Sequence, residues 1–332
     1  MRMSFFCIDG HTAGNPVRLV AGGAPILHGA SMSEKRADFM ARYDHIRLGL
    51  MFEPRGHDMM SGGFLYPPID PANDIAILFM ETSGCLPMCG HGSIGMITFG
   101  LEHGLIQPKT PGRLKIEVPA GVIEAHYTQS GAKVTAVKLV NVPSFVIKRG
   151  IEILVDGLGP LTLDVSYGGN FYGIIEPQGN YRGIDDLGAG GILHYSPIIR
   201  RAVQSAYRPV HPNDPTIAGV SHLLWSDQAD PTGQRGRCAV FYGDRAIDRS
   251  PCGTGTSARI AHLHATGRLV EGQAFIHESI IRSRFTARIE GETKVGDYPA
   301  IIPSVEGQAY VTGLNTLWID EDEPFPTGFQ LI

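Results

Sequence analysis

The pattern Cys-Gly-x-Gly-[Ser/Thr] occurs twice, starting at Cys89 and at Cys252, and the two cysteines stand 163 positions apart in a chain of 332 residues. Each copy is followed by another glycine, Gly104 or Gly267, fifteen residues beyond its cysteine. Both segments read as a tight glycine turn opening a helix that ends at its glycine, and the first is apolar enough to be buried. A weaker echo lies upstream, where Gly14-Asn15 in the first half matches Gly169-Asn170 in the second. Self-similarity at about half the chain length predicts two related domains, each presenting one cysteine at a helix start, facing each other across a cleft. The boundaries are expected near residues 145 and 313. Residues 1–145 plus 314–332 would form an N-terminal lobe carrying Cys89, and 146–313 a C-terminal lobe carrying Cys252.

Composition fits this plan. With 42 glycines, 23 prolines and no low-complexity tract, the chain reads as many short strands separated by turns, in a strand-rich α/β or α+β protein. Strands are expected at Ser4–Ile8, Val17–Ala21, Ile75–Met80, Leu114–Val118, Val122–His126, Val134–Val140, Leu161–Tyr167 and Phe171–Ile175. An amphipathic helix is expected over Glu34–Leu50 with Ser33 as its N-cap, and another beginning at Ser196-Pro197. A hydrophobic content of 43%, a charged content of 18% and a net charge of −5 give no basic excess for nucleic acid. No run approaches a bilayer span, and the opening segment Met1–Asp9 turns polar too early for a signal peptide, so a cytoplasmic protein with no membrane partner is expected. Five scattered cysteines make a poor disulfide framework, and reduced thiols are the default.

Two thiols at two helix starts suit one kind of chemistry. Inverting a carbon that bears hydrogen requires a base on one face and an acid on the other, and each must be able to exchange roles. A thiol with an unperturbed pKa of about 8.5 does both near working pH. At a helix N-terminus the unpaired N–H groups and the helix dipole stabilise the thiolate, so both thiols are expected to have lowered pKa values. The same N–H groups, bared by glycine, form an anion site for a substrate carboxylate and for the enediolate-like charge that develops on deprotonation. No GxxxxGK[ST] loop is present, and Gly90-His91-Gly92 does not complete a dinucleotide fingerprint. No cofactor and no metal are therefore expected; His262 and His264, two apart on a helix, point to different faces.

The remaining cysteines read as packing residues. Cys85 lies four positions before Cys89 without a second ligand pair, and Cys7 and Cys238 sit in strand-like runs. His57 and Asp58 follow the first helix in a loop, where Asp58 could simply cap its own backbone.

Met88-Cys89-Gly90-His91-Gly92 and Asp248-Arg249-Ser250-Pro251-Cys252-Gly253-Thr254-Gly255-Thr256-Ser257-Ala258 resemble the two motifs of the proline racemase family, and more closely its bacterial 4-hydroxyproline 2-epimerase branch. The resemblance runs through Asp9-Gly10-His11-Thr12, Arg55-Gly56-His57-Asp58-Met59 and Gly168-Gly169-Asn170-Phe171. It implies a fold like diaminopimelate epimerase: two pseudo-symmetric lobes, each a β-barrel-like sheet around a central helix, with the active site in the cleft between them. It further implies that Cys89 and Cys252 are the acid/base pair, with substrate held by Gly90, His91, Asp248, Gly253 and Thr254. His222 is a candidate contact for a ring hydroxyl. Relatives that dehydrate trans-3-hydroxyproline carry threonine at the position of Cys252, and some 3-hydroxyproline epimerases carry serine at that of Cys89, so cysteine at both places argues against dehydration; the resemblance implies epimerisation of trans-4-hydroxy-L-proline to cis-4-hydroxy-D-proline. Proline racemisation is the alternative, followed by the dehydratase, a non-catalytic amino-acid-binding protein and a thiol redox module. The sequence leaves open whether the chain acts alone or as a homodimer.

Overall fold

The computed structural model describes residues 2–228, 230 and 232–331; Met1, at the start of the segment weighed as a leader, and Ala229, Pro231 and Ile332, in the two expected lobes, lie outside them. The chain runs β1 (Arg2–Thr12), β2 (Asn15–Gly22), α1 (Met32–Arg42), α2 (Asp44–Met51), β3 (Ser61–Tyr66), β4 (Ile75–Glu81) and α3 (Gly90–Glu102). It continues through β5 (Arg113–Val118), β6 (Gly121–Ser130), β7 (Lys133–Val140), β8 (Ser144–Val155), β9 (Gly159–Tyr167), β10 (Phe171–Ile175) and α4 (Ile184–Ala206). Then come β11 (Val210–His211), β12 (Asp214–Ala218), β13 (His222–Ser226), β14 (Arg235–Tyr242), β15 (Ala246–Ile247) and α5 (Gly253–Ala265). The last strands are β16 (Phe275–Glu278), β17 (Arg284–Val295), β18 (Tyr298–Gly307) and β19 (Ala309–Asp320).

The chain is a mixed α/β protein that divides into two compact units, residues 1–139 with 307–332 and residues 140–306. These limits fall six or seven residues before the boundaries expected from the sequence. The reason is local pairing: Asn141 N–H donates to the Pro303 carbonyl, and Ser144 and Phe145 pair with Ile301 and Ala300, so the stretch after 139 belongs to the second unit.

In the first unit the strands pair in the order β19–β1–β2–β3–β4–β5–β6, with successive contacts antiparallel, antiparallel, parallel, antiparallel, parallel and antiparallel. In the second, β8–β9–β10–β13–β14–β16–β17 repeats that order of contacts. There β18 pairs antiparallel with both β17 and β8, closing a ring of eight strands into a β-barrel. The internal echo read from the motifs is thus matched strand for strand.

Each unit is built around its cysteine helix. α3 packs on β1, β2, β3 and β19, and α5 on β8, β9, β10 and β17. Both helices are 13 residues long, buried along nearly all their length, and stop at glycines with positive φ, 68° at Gly104 and 71° at Gly267. Close backbone approach fixes α5: a Cβ on Gly168, in the turn between β9 and β10, would lie 2.2 Å from the Thr254 carbonyl oxygen and 2.5 Å from the Ala258 nitrogen. The Asn141 amide binds both partners, donating to the Gly168 carbonyl at 2.8 Å and the Ser257 hydroxyl at 3.0 Å. Gly168→Ala is expected to cost about 3 kcal/mol of stability, since backbone rather than a movable side chain must give way, and chemical denaturation measures it.

Two helix expectations need correction. The segment expected as one helix from Glu34 starts earlier, with Ser31 rather than Ser33 capping it through Glu34 N–H at 3.1 Å, and it breaks at Tyr43 into α1 and α2. Ser196-Pro197 does not open a helix. α4 begins at Ile184, whose N–H is held by Asp227 at 2.7 Å, is kinked at Gly188 and carries Pro197 in its interior, where the buried Ser196 hydroxyl accepts from Trp225 at 2.9 Å. No helix among the described residues is long and apolar enough to cross a membrane.

Candidate active site

Cys89 and Cys252 are the N-cap residues of α3 and α5, and each is 5% exposed. The glycine three positions on explains the repeated motif. A Cβ on Gly92 would lie 2.9 Å from the Cys89 sulfur, and one on Gly255 would lie 3.1 Å from the Cys252 sulfur. In both units the sulfur occupies the space that any side chain at that position would fill.

Around Cys89 the neighbours come from three segments of the first unit. His91 Nδ1 is 3.6 Å from the sulfur, and His91 Nε2 lies 2.7 Å from the Ser61 hydroxyl on β3 and 3.0 Å from the Asn15 amide nitrogen at the start of β2. The His91 carbonyl accepts from the Thr12 hydroxyl at 2.8 Å, which ties the first turn of α3 to the end of β1.

Cys252 has a different shell. Gly255 N–H donates to its sulfur at 3.4 Å, and the Tyr172 hydroxyl on β10 lies 3.3 Å from the sulfur and 2.6 Å from the Thr254 hydroxyl. Thr254 also accepts from the Asn170 amide at 3.4 Å. The backbone of Cys252 is held at φ 62°, a region non-glycine residues rarely adopt at a cost of about 1–3 kcal/mol. The preceding turn holds it there: Cys252 N–H donates to the Ser250 hydroxyl at 3.1 Å, and that hydroxyl and Ser250 N–H donate to Asp248 Oδ1 at 2.7 and 2.8 Å. Asp248, buried, therefore caps the cysteine turn.

One electrostatic expectation is overturned. Burial, then the Asp248 charge, push the Cys252 thiol well above its ordinary range, and the hydrogen bonds from Tyr172, Gly255 and Thr254 only partly offset them. Desolvation of a nearly enclosed thiolate outweighs the helix N-terminus, because the charge loses most of its water while the N–H it gains is a single long bond.

Comparison with known proteins identifies the family. The proline racemase family model matches residues 7–330. The chain belongs to the proline racemase family. A 4-hydroxyproline 2-epimerase of Shewanella loihica is 56% identical over 332 residues, covering 100% of both chains. One of Ancylobacter novellus is 57% identical over 331 residues, covering 100% of this chain and 99% of the relative. Among solved structures, a hydroxyproline epimerase from Agrobacterium vitis with bound trans-4-OH-L-proline has a TM-score of 0.91 at 28% identity, covering 99% of this chain and 95% of that one. A phenazine biosynthesis protein of the PhzF family from Bacillus anthracis has a TM-score of 0.56 at 15% identity over 96% of this chain and 99% of its own; it shares the fold alone.

Within this proline racemase family member, the expected site residues of each unit lie together. Gly90 and His91 form the first turn of α3 after Cys89; Gly253, Thr254 and Asp248 surround Cys252. His222 is buried on β13 with its ring 4.8 Å from that of Tyr172 and its Nδ1 2.7 Å from the Ser221 hydroxyl. His57 and Asp58 contact the loop and the chain end: His57 Nδ1 accepts from Met59 N–H at 3.2 Å, and Asp58 Oδ1 from Gln330 at 2.8 Å. All five cysteines are buried and free, and burial raises the Cys7 and Cys85 thiols to about 12. Four neighbours were not picked out from sequence as site residues: Asn15, Ser61, Asn170 and Tyr172. The repeated Gly-Asn pair carried the signal for the asparagines, since each binds the side chain two positions after its unit's cysteine.

Proposed function

We propose that this chain is a 4-hydroxyproline 2-epimerase that interconverts trans-4-hydroxy-L-proline and cis-4-hydroxy-D-proline, with Cys89 and Cys252 as its two acid/base groups. The observation that carries the reading is identity of 56–57% over the full length to 4-hydroxyproline 2-epimerases, in a chain that places a buried cysteine at the N-cap of both repeated helices.

The chemistry requires one thiol on each face of a single α-carbon, one supplied by each unit. A thiolate on one face takes the α-proton as the C–H bond breaks, and the electron pair moves into the carboxylate as an enediolate. The thiol on the other face then delivers its proton to carbon, so inversion leaves the two sulfurs with exchanged protonation states and consumes nothing else. The N–H groups of Gly90, His91, Gly253 and Thr254, in the first turns of α3 and α5, would hold the carboxylate as its charge grows. Asp248 would face the ring ammonium. In that position a substrate cation would offset the Asp248 charge that, after burial, pushes the Cys252 thiol up. His222, beside Tyr172, is the candidate for reading the ring hydroxyl.

The test is a panel of L-proline, trans-3-hydroxy-L-proline and trans-4-hydroxy-L-proline followed in deuterated water. The expected result is one deuterium at Cα of the inverted product, with kcat/KM for trans-4-hydroxy-L-proline at least about tenfold above that for proline, because a polar site group left without its hydroxyl partner costs more than 1 kcal/mol. Faster inversion of proline would make it a proline racemase, and release of a keto product from the 3-hydroxy isomer a dehydratase.

A further inference from the structure

The two Gly-Asn turns lead into equivalent strands, β2 and β10, and from there each asparagine reaches the residue two positions after its unit's cysteine. Donor chemistry permits one consistent set of hydrogen-bond directions. In the first unit the Asn15 amide nitrogen can only donate, so His91 Nε2, 3.0 Å away, is an acceptor. The Ser61 hydroxyl, 2.7 Å from the same nitrogen, has one hydrogen to give, to that nitrogen or to the Pro16 carbonyl at 3.0 Å. The ring hydrogen therefore sits on Nδ1, the nitrogen nearer the Cys89 sulfur at 3.6 Å. In the second unit the Asn170 amide donates to Thr254 Oγ1 at 3.4 Å, and Thr254 can pass its own hydrogen to the Tyr172 oxygen at 2.6 Å. The Tyr172 hydrogen is then directed at the Cys252 sulfur at 3.3 Å.

We propose that Asn15 and Asn170 are paired positioning residues, each heading a hydrogen-bond chain that ends with a donor aimed at its unit's cysteine sulfur, through His91 in one unit and through Thr254 and Tyr172 in the other. This inference rests on the two-thiol reading above and adds what makes a thiolate tolerable in a buried site. Tyr172 is the adaptable member. Its hydroxyl hydrogen turns to the sulfur when Cys252 is a thiolate, and back to Thr254 when the thiol keeps its proton. Among the described residues of this unit, the charged or titratable groups near Cys252 include Asp248 in the preceding turn, Tyr172 on β10 and Cys238 on β14, with His222 on β13 next to Tyr172. Of these, Tyr172 alone offers a hydrogen directly to the sulfur, whereas Asp248 and an ionised Cys238 oppose its charge.

The decisive variant is Tyr172→Phe, which keeps the ring and its packing. The expected result is a fall of about tenfold in kcat near neutral pH with KM changed less than about twofold, and an acid limb of kcat/KM moved up by about one pH unit, so that activity recovers on the alkaline side. A loss that is the same at every pH, or a limb that stays in place, overturns the proposal for that unit. Asn170→Ala should move the limb in the same direction by less. For the first unit the native enzyme itself supplies the measurement. Side-chain 15N spectra of labelled histidine should show His91 as the Nδ1–H tautomer, and an Nε2–H ring there would overturn the chain from Asn15. An active Cys252→Ser enzyme would remove the two-thiol reading itself, whereas an inactive one together with an unmoved Tyr172→Phe limb removes this inference alone.

Discussion

Replacing either Cys89 or Cys252 by serine is expected to lower inversion of 4-hydroxyproline by at least about 10³-fold, the range set by removing a general acid or base. A serine hydroxyl is too weak an acid to share a proton with carbon on equal terms, so one face of the α-carbon loses its partner. The remaining thiol still faces the other side. Each variant should therefore exchange the α-proton of one enantiomer with solvent, with retention, and the two variants should exchange opposite enantiomers. Proton NMR in deuterated water, run separately on trans-4-hydroxy-L-proline and cis-4-hydroxy-D-proline, reads both quantities. Near-native inversion by either variant would sink the two-base scheme, and exchange of the same enantiomer by both would place the sulfurs on one face.

The likeness of Cys89 and Cys252 was open to reading because the constraint behind it is local and repeated. A sulfur at a helix N-cap needs glycine three residues on, a buried helix needs apolar residues along it, and its end needs a residue tolerant of positive φ. Gly92 and Gly255, then Gly104 and Gly267, record those needs in the sequence. Ser61 and Tyr172 were hidden because they reach the site from neighbouring strands. Their positions depend on β3 pairing parallel with β2 and β10 pairing antiparallel with β9, which no local pattern announces. The Cys252 thiol differs from expectation for a related reason: the helix start that favours a thiolate is visible in the sequence, but the burial that opposes it is a property of packing. α4 was misread at Ser196-Pro197 because an N1 proline and a tolerated interior proline look alike until the buried Ser196 is seen to serve Trp225.

Gly92→Ala and Gly255→Ala should each be strongly damaging, although neither residue has chemistry of its own. The added methyl would sit 2.9 Å from the Cys89 sulfur in one case, and in the other 3.1 Å from the Cys252 sulfur and 3.2 Å from Tyr172 Cε1. A carbon and a sulfur need well over 3 Å, so the sulfur must rotate away or the helix start must shift, and a misplacement approaching 1 Å is worth about 10²-fold in rate. The loss should fall on kcat. At Gly255 the φ 62° backbone of Cys252 leaves little room to adjust, so that variant should be the worse of the two despite its slightly longer contact. Gly267→Ala provides the contrast: it forces alanine to a φ of 71° with nothing within 4 Å of the new carbon. That change should cost about 1 kcal/mol of stability and leave kcat alone, because the strain lies at the far end of α5 from the sulfur. Denaturation midpoints and kcat measured on all three variants separate the effects. If Gly92→Ala and Gly255→Ala lose stability in proportion to Gly267→Ala but keep their turnover, the +3 glycine of the motif serves the helix and not the thiol.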